Sequence, residues 1–337
     1  MLDLNKLIID NYALGNIIDL EIIQEGAVGN NNILRTANAQ YFVKVIPGTI
    51  QHEERVKQIF NVYNFVYNLM SEVEMPLTNI HGGDYVFTEL GFIVVFPYVT
   101  GIKYSQLSPD LKQKAVQSSA KTLAKFHSST AQSVTPIVEP SNTDKKINTF
   151  IQDVAELRQN LQTKQKLSEI DEVILDLLNT KEICFKKFLT MFPDLVYPTS
   201  QLVHGDFHAE NLLFNEVGEV IRIFDWDNTA MSSHAWELIY AMLKICFDDN
   251  FENYDPDLVR IFIQSYHNIN PINKQKLTEG WKIWYIRDVI NIWASKRRAK
   301  FEDYRVDKFI LNGKQKLEYV NKHLFDLIAE TQSFLMN

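Results

Sequence analysis

The stretch Leu202-Val-His204-Gly-Asp206-Phe-His208-Ala-Glu-Asn211-Leu-Leu-Phe214, continued by Val220-Ile-Arg-Ile-Phe224-Asp225-Trp226-Asp227, decides how the rest of the chain is read. Leu212–Phe214 and Val220–Phe224 are short apolar runs joined by Asn215-Glu-Val-Gly218-Glu219, the pattern of a tight β-hairpin. Asp206 and Asn211 precede the first run and Asp225 follows the second, so the three polar side chains are expected to meet at the open end of the hairpin.

Upstream of this island, from Leu20 to Tyr98, the apolar runs are short and rich in β-branched residues: Leu20–Ile23, Ile33–Arg35, Tyr41–Ile46, Tyr85–Thr88 and Phe92–Phe96. Gly29-Asn30-Asn31-Asn32, Pro47-Gly48, Gly82-Gly83 and Gly91 punctuate them, which predicts a five-stranded, mostly antiparallel sheet. A short amphipathic helix on Leu4, Leu7, Ile8 and Tyr12 precedes it. Between the third and fourth strands Val56, Phe60, Tyr63, Tyr67 and Met70 step by three or four down one helix face. Extended backwards, that stripe reaches Glu53 rather than Glu54, and an acid on a buried face needs a cationic partner.

Downstream the texture is helical. One helix is expected over Leu111–His127, one or two over 143–192, and more from about Ala235 to the end, with a loop at Pro136–Asn142. The plan is α+β and bilobal: a small antiparallel β-rich lobe over 1–96, a connection at 97–101, and a larger, mostly helical lobe over 102–337 that contains the loop 204–211.

Composition narrows the function. Of 337 residues, 46% are apolar and 23% charged, which fits a folded globular protein. The 34 basic and 42 acidic residues give a net charge of −8, so no global cationic field recruits nucleic acid or an anionic membrane. Cys184 and Cys246 are too few for a disulfide framework or a cysteine zinc site, which suits a reducing compartment. No basic-then-apolar leader opens the chain, and no apolar run reaches the ~18 residues of a membrane span. A soluble, cytoplasmic protein is expected.

An acid, an amide and a second acid meeting at one point suit divalent-metal phosphoryl transfer. The spacing from Asp206 to Asn211 matches the kinase catalytic loop, in which the Asp receives the acceptor hydroxyl's proton and the Asn ligates Mg2+. Asp225 then stands where the second metal-binding Asp stands. Mg2+ keeps several waters, so a carboxylate, an amide oxygen and phosphate oxygens suffice without a histidine.

With this order of elements, His204-Gly-Asp206-x-His208-x-x-Asn211 and Ile223-Phe-Asp225-Trp-Asp227 resemble the aminoglycoside phosphotransferase and choline kinase superfamily, which includes homoserine kinase-like members. The resemblance runs from about Gly26 to Leu238. It implies a protein-kinase-like fold, ATP and Mg2+ as cofactors, and transfer of the γ-phosphoryl group to a hydroxyl of a small molecule such as an aminoglycoside, an amino alcohol or a homoserine-like acceptor. It also implies that Lys44 touches the α and β phosphates and pairs with Glu53, with Glu54 as the alternative. The turn bearing Gly26, Gly29 and Asn30 would cover the phosphates, while the Pro97 carbonyl and the Val99 amide would meet the adenine. Asn211 and Asp225 would hold the metal, and Asp206 would orient the acceptor hydroxyl.

Blander readings compete at each position. Lys44 alone is a strand lysine reaching water, Glu53 a helix-start carboxylate, and Asp a common turn residue. His204 and His208 are expected to shape the loop by hydrogen bonds; the rival is a metal-dependent hydrolase built on His-x-Asp-x-His. Asp227 is read as a supporting residue or a turn cap. Trp281, Trp284, Tyr285 and Trp293 are read as core, with an acceptor pocket or a subunit contact as alternatives. A catalytically silent kinase-fold scaffold would lack a catalytic part, yet Lys44, Asp206, Asn211 and Asp225 are all present. Trp226-Asp227 in place of Phe-Gly, with no Ala-Pro-Glu segment after it, disfavours a protein substrate.

Overall fold

A computed structural model describes residues 4–23, 30–131, 138, 140–198, 201–249, 251 and 253–335. The chain opens with α1 (Leu4–Asn11), β1 (Ile17–Ile23), β2 (Asn30–Thr36), β3 (Gln40–Ile46), α2 (Glu53–Tyr67), β4 (Val86–Thr88) and β5 (Gly91–Pro97). Helices α3 (Pro109–Ala131), α4 (Thr143–Gln162) and α5 (Glu169–Met191) follow. Then come β6 (Gln201–Val203), β7 (Leu212–Phe214), β8 (Val220–Ile223) and β9 (Ala230–Ser232). The last elements are α6 (His234–Cys246), α7 (Pro256–His267), α8 (Lys274–Val289), α9 (Trp293–Phe301) and α10 (Asp307–Ser333). The expected α+β class, with a five-stranded antiparallel sheet and a mostly helical remainder, is what forms.

The described residues pack as two compact units. The first comprises residues up to Leu107 together with Glu210–Asp227, and the second holds the remainder. The hairpin β7–β8, which the sequence groups with 102–337, thus packs with the sheet-bearing residues. Three contacts explain this: Ile102 and Phe214 exchange backbone hydrogen bonds of 2.8 and 3.0 Å, the Ile223 amide donates to the Glu72 carbonyl at 2.8 Å, and Arg222 Nε pairs with Glu74 at 2.8 Å.

In the first unit the sheet order is β1-β2-β3-β5-β4. The period-2 alternation of β3 sends Val43 and Val45 to one face, where they form a core with Ile8, Tyr12, Leu34, Ile93 and Val95. Full burial of each such aliphatic side chain contributes roughly 1.5–3 kcal/mol. Lys44 consequently points to the opposite face. Helix α2 buries Val56, Ile59, Phe60, Val62, Tyr63 and Val66. Tyr67, expected on that stripe, is 52% exposed, because Val66 takes the inward position in the last turn.

The second unit is built around α6, whose sequence His-Ala-Trp-Glu-Leu-Ile-Tyr-Ala-Met-Leu-Lys-Ile-Cys is apolar almost all round and is accordingly buried on most faces. Ser233 caps its start by accepting from the Trp236 amide. Strand β6 pairs with β9 rather than with the hairpin, through Leu202 opposite Met231. Trp281, Trp284 and Tyr285 of α8 are buried, so the core reading holds for them, whereas Trp293 is 41% exposed. No helix among the described residues is long and apolar enough to cross a membrane.

Gly280 of α8 is where that helix crosses α6: a Cβ there would lie 2.4 Å from the Ala235 carbonyl oxygen. Gly280→Ala is therefore expected to push the two helices apart and destabilise the fold by about 1–3 kcal/mol. A thermal melt showing a fall of several degrees in Tm checks this.

Candidate active site

The expected residues fall into two groups, one in each unit. In the first unit, the Asn211 carbonyl accepts from the Phe224 amide at 2.9 Å and Leu212 pairs with Ile223, so Asn211 and Asp225 stand side by side at the open end of the hairpin. Asp225 adopts φ +62°, a left-handed conformation that Asp tolerates and β-branched residues do not. Trp226 anchors the turn that follows. It is 1% exposed, donates from Nε1 to the Ile223 carbonyl at 3.3 Å, and meets the Tyr63 ring edge-on at 6.3 Å.

That anchoring presents the carboxylates on either side of Trp226 to Lys44. Its Nζ lies 2.7 Å from Asp225 Oδ1 and 2.8 Å from Asp227 Oδ2. Burial pushes the ammonium's pKa down, but Asp227 and Asp225 more than offset it and hold Lys44 above the usual lysine range. Asp227, read from sequence as a supporting residue or turn cap, is thus an ionic partner of Lys44 on equal terms with Asp225.

The expected Lys44–Glu53 pair is replaced. Glu53 faces inward as the helix stripe predicts and Glu54 is exposed, but Glu53 accepts from the Tyr85 hydroxyl at 3.1 Å and pairs with Lys57 at 3.5 Å, one turn along α2. Two carboxylates at contact distance already match the single charge of Lys44. The cation that α2 does send to this region is Arg55, whose Nη2 donates to the Asp227 carbonyl at 2.9 Å.

Gly26 and Gly29 lie outside the described residues. Asn30, expected in the same turn, opens β2 opposite Val45, and Asn31 pairs with Lys44 across the ladder. The strand therefore starts within the asparagine run, because its register with β3 is continuous there. Pro97 ends β5, and half-buried Val99 lies two residues beyond it.

Asp206, expected beside Asn211, belongs to the second unit and is held by residues of that unit. The Tyr240 hydroxyl donates to Asp206 Oδ1 at 2.5 Å, His208 Nε2 lies 3.5 Å from the same oxygen, and Asn228 Nδ2 lies 3.5 Å from Oδ2. Burial raises its pKa, but the His208 hydrogen bond and charge and the Tyr240 hydrogen bond outweigh burial and bring it down to about 2. Asp206 is therefore ionised at neutral pH. His204 has the loop-shaping role expected of it: fully buried, it accepts from the Asp206 amide at Nδ1, 3.2 Å away.

Beneath this loop lies Glu237, a carboxylate with no exposed surface. It accepts from the His204 amide at 3.0 Å, the Gly205 amide at 2.5 Å and His127 Nε2 at 2.9 Å. His127 in turn meets the Tyr266 hydroxyl at 2.7 Å. Gly205 takes φ +84°, and a Cβ on it would lie 2.1 Å from the Asn228 carbonyl oxygen, so only glycine fits this bend. Sequence reasoning missed Glu237 and Tyr240. An acid inside the apolar run of α6 was the available signal for Glu237; Tyr240 gave none, since an aromatic there is ordinary helix core.

Glu237→Gln keeps the shape but presents an NH2 group to donors that need an acceptor. It is expected to cost about 2–4 kcal/mol of stability. A thermal melt of the variant checks this.

The phosphotransferase enzyme family model matches residues 19–279. Spectinomycin phosphotransferase, solved in complex with ADP and spectinomycin, superposes with a TM-score of 0.63 at 18% identity, covering 98% of this chain and 96% of its own. Amicoumacin kinase, solved with AMP-PNP and Ca2+, gives a TM-score of 0.67 at 13% identity, covering 95% and 94%. A microcompartment-associated aminopropanol kinase gives 0.65 at 12% identity, covering 98% and 98%. At these identities the likeness is one of fold, and that fold is kinase-like. Compared by sequence with curated proteins, the chain has no match. The family match spans well over half the chain and contains the loop 204–211 and the hairpin carboxylates, so the chain belongs to the phosphotransferase enzyme family and is a small-molecule kinase.

Proposed function

We propose that the protein transfers the γ-phosphoryl group of ATP, in the presence of Mg2+, to a hydroxyl of a small molecule. The observation that carries this reading is the arrangement of Lys44 with Asp225 and Asp227 beside Asn211, one cation and three oxygen-bearing side chains assembled by β3 and a single hairpin.

The donor set suits the metal. Among the described residues no group of three or more His, Cys, Asp or Glu forms a self-sufficient metal site. Mg2+ carried on a triphosphate needs no such group, because phosphate oxygens and waters complete its shell around one or two carboxylates and an amide oxygen. In this reading Asn211 and Asp225 hold the ion and Asp227 shares the charge. Held there, Mg2+ would supply positive charge against the negative charge that develops on the phosphoryl group.

Lys44 is assigned to the α and β phosphates, where its raised pKa keeps it cationic. Pro97 and Val99 are assigned to the adenine through the carbonyl of one and the amide of the other, and the turn bearing Gly26, Gly29 and Asn30 to the phosphates. Glu53 is assigned an indirect part, fixing the start of α2 through Tyr85 and Lys57.

Asp206 orients the acceptor hydroxyl. As the hydroxyl oxygen bonds to the γ-phosphorus, the bond from that phosphorus to the leaving ADP oxygen breaks, and the hydroxyl proton passes to Asp206. A carboxylate with a pKa of about 2 is a weak base, which suits a loose transition state in which the proton leaves late. Tyr240 and His208 keep that carboxylate ionised and oriented, and Glu237 fixes the backbone beneath it.

The test is an ADP-release assay with Mg2+ against aminoglycosides, amino alcohols, homoserine and sugars. Acceptor-stimulated turnover is expected, and Asp206→Asn is expected to lower kcat by about 10²–10⁴-fold with ATP binding retained. ATP binding without acceptor-dependent turnover on any compound, or turnover indifferent to Asp206→Asn, overturns the reading. Lys44→Met is expected to raise the KM for ATP by about 10–100-fold, the loss of one charge-assisted contact to phosphate. Initial rates across an ATP series measure it.

A further inference from the structure

The second unit contains a cation that has no ion pair among the described residues and is linked to Asp206 through two aromatic side chains. Arg287 lies in the last turn of α8. The end of that helix is fixed by buried Lys181, whose Nζ donates to the Asp288 carbonyl at 2.6 Å and the Val289 carbonyl at 3.2 Å. The Arg287 guanidinium carbon sits 3.6 Å from the centroid of the Trp236 ring. Trp236 is 4% exposed and stacks with Tyr240, ring centroids 5.6 Å apart and planes 29° apart. Tyr240 is the residue that donates to Asp206. Two aromatic rings thus separate the guanidinium from the carboxylate assigned to the acceptor hydroxyl.

A guanidinium has five N–H donors, and Arg287 directs one of them to Ser232 Oγ at a long 3.4 Å. Among the described residues it forms no ion pair, whereas Arg158, Arg222, Arg297 and Arg298 each have a carboxylate within 2.9 Å. The acid that acts on its charge, Glu237, is committed to His204, Gly205 and His127. Burial accordingly brings the Arg287 pKa down to about 10, with Glu237 and Tyr240 offsetting only part of the effect. Lys146 of α4 is lowered too, first by burial and then by Arg287 and Lys296. Lys296 is compensated by Asp153 at 2.9 Å; Arg287 and Lys146 are not. In a chain of net charge −8, this is a local positive field.

We propose that Arg287 binds the carboxylate of the phosphoryl acceptor, so that the substrate class of this chain is a hydroxy acid or hydroxy amino acid rather than a polycationic aminoglycoside. The assignment rests on the kinase reading and deepens it. The Arg287 guanidinium is held against the Trp236 ring, and a guanidinium without a carboxylate partner among the described residues is the group that a planar carboxylate meets with two parallel hydrogen bonds. Buried Trp236, in contact with both the guanidinium and Tyr240, sets the spacing between the group that would bind the carboxylate and the residue that holds Asp206. A polycation would meet Arg287 and Lys146 as like charges.

The experiment compares matched pairs of acceptors in the Mg2+–ATP assay: L-homoserine and 4-hydroxybutyrate against their amides, with 1-amino-2-propanol and kanamycin as cationic alcohols. At least one carboxylate is expected to exceed its amide in kcat/KM. Arg287→Gln is expected to raise the KM for that carboxylate by about 10–100-fold while the KM for ATP and the rate on the amide stay within about twofold. Arg287→Lys, which keeps the charge and loses the fork, is expected to recover part of the loss. It also guards against a folding defect, which a thermal melt of both variants detects. A purely structural role would lower kcat on carboxylate and amide alike and overturns the assignment. So does turnover of a cationic alcohol that is lost in Asp206→Asn but indifferent to Arg287→Gln, an outcome that leaves the kinase reading standing. Absence of turnover on every acceptor removes the kinase reading, and this assignment with it.

Discussion

A fully buried carboxyl group is costly unless donors surround it, and Glu237 offsets that cost by accepting from two backbone amides of the 204–211 loop together with His127. The loop cannot shift without stranding a charge in the interior, so its path is fixed by electrostatics more than by apolar packing. Gly205 bends under the Asn228 carbonyl, His204 receives the Asp206 amide, and Asp206 emerges in a defined orientation. Helix α6 therefore does two jobs with residues one turn apart: Glu237 holds the backbone of the loop and Tyr240 holds the side chain that the loop presents.

The first unit solves a different problem, which is to aim two neighbouring acids at one cation. Trp226 is buried between them, so Asp225 and Asp227 emerge on the same side of the turn, and both reach Lys44. The lysine reaches them because the alternation of β3 turns it away from the face that carries Val43 and Val45. Helix α2 supports the same centre through Arg55 and the Asp227 carbonyl. Phosphoryl transfer asks a protein for positioning and charge stabilisation, and these two centres are built from little else.

On the proposed reading, the loop and the hairpin carboxylates serve the transfer itself, while Arg287, Lys146 and the Trp236–Tyr240 stack are the features of the second unit that would choose among hydroxyl compounds. A guanidinium held against an indole, with no carboxylate partner among the described residues, has the donors that recognition of a carboxylate would use.

Much of this was legible without coordinates wherever the information is local and periodic. The spacing from Asp206 to Asn211, the hairpin pattern around Gly218, the alternation that exposes Lys44 on one strand face and the stripe that turns Glu53 inward are all set by neighbours within a few residues, and strand and helix periods transmit them directly. Partner choice is not local. Whether Lys44 meets Glu53 or Asp225 and Asp227, whether β6 joins the hairpin or β9, and that Glu237 and Tyr240 gather beneath and beside Asp206 depend on residues far apart in the chain meeting in space, as in the Lys44–Asp225 contact at a separation of 181. Those outcomes follow from which buried charges can be matched once the elements have packed, and only the tertiary structure decides that.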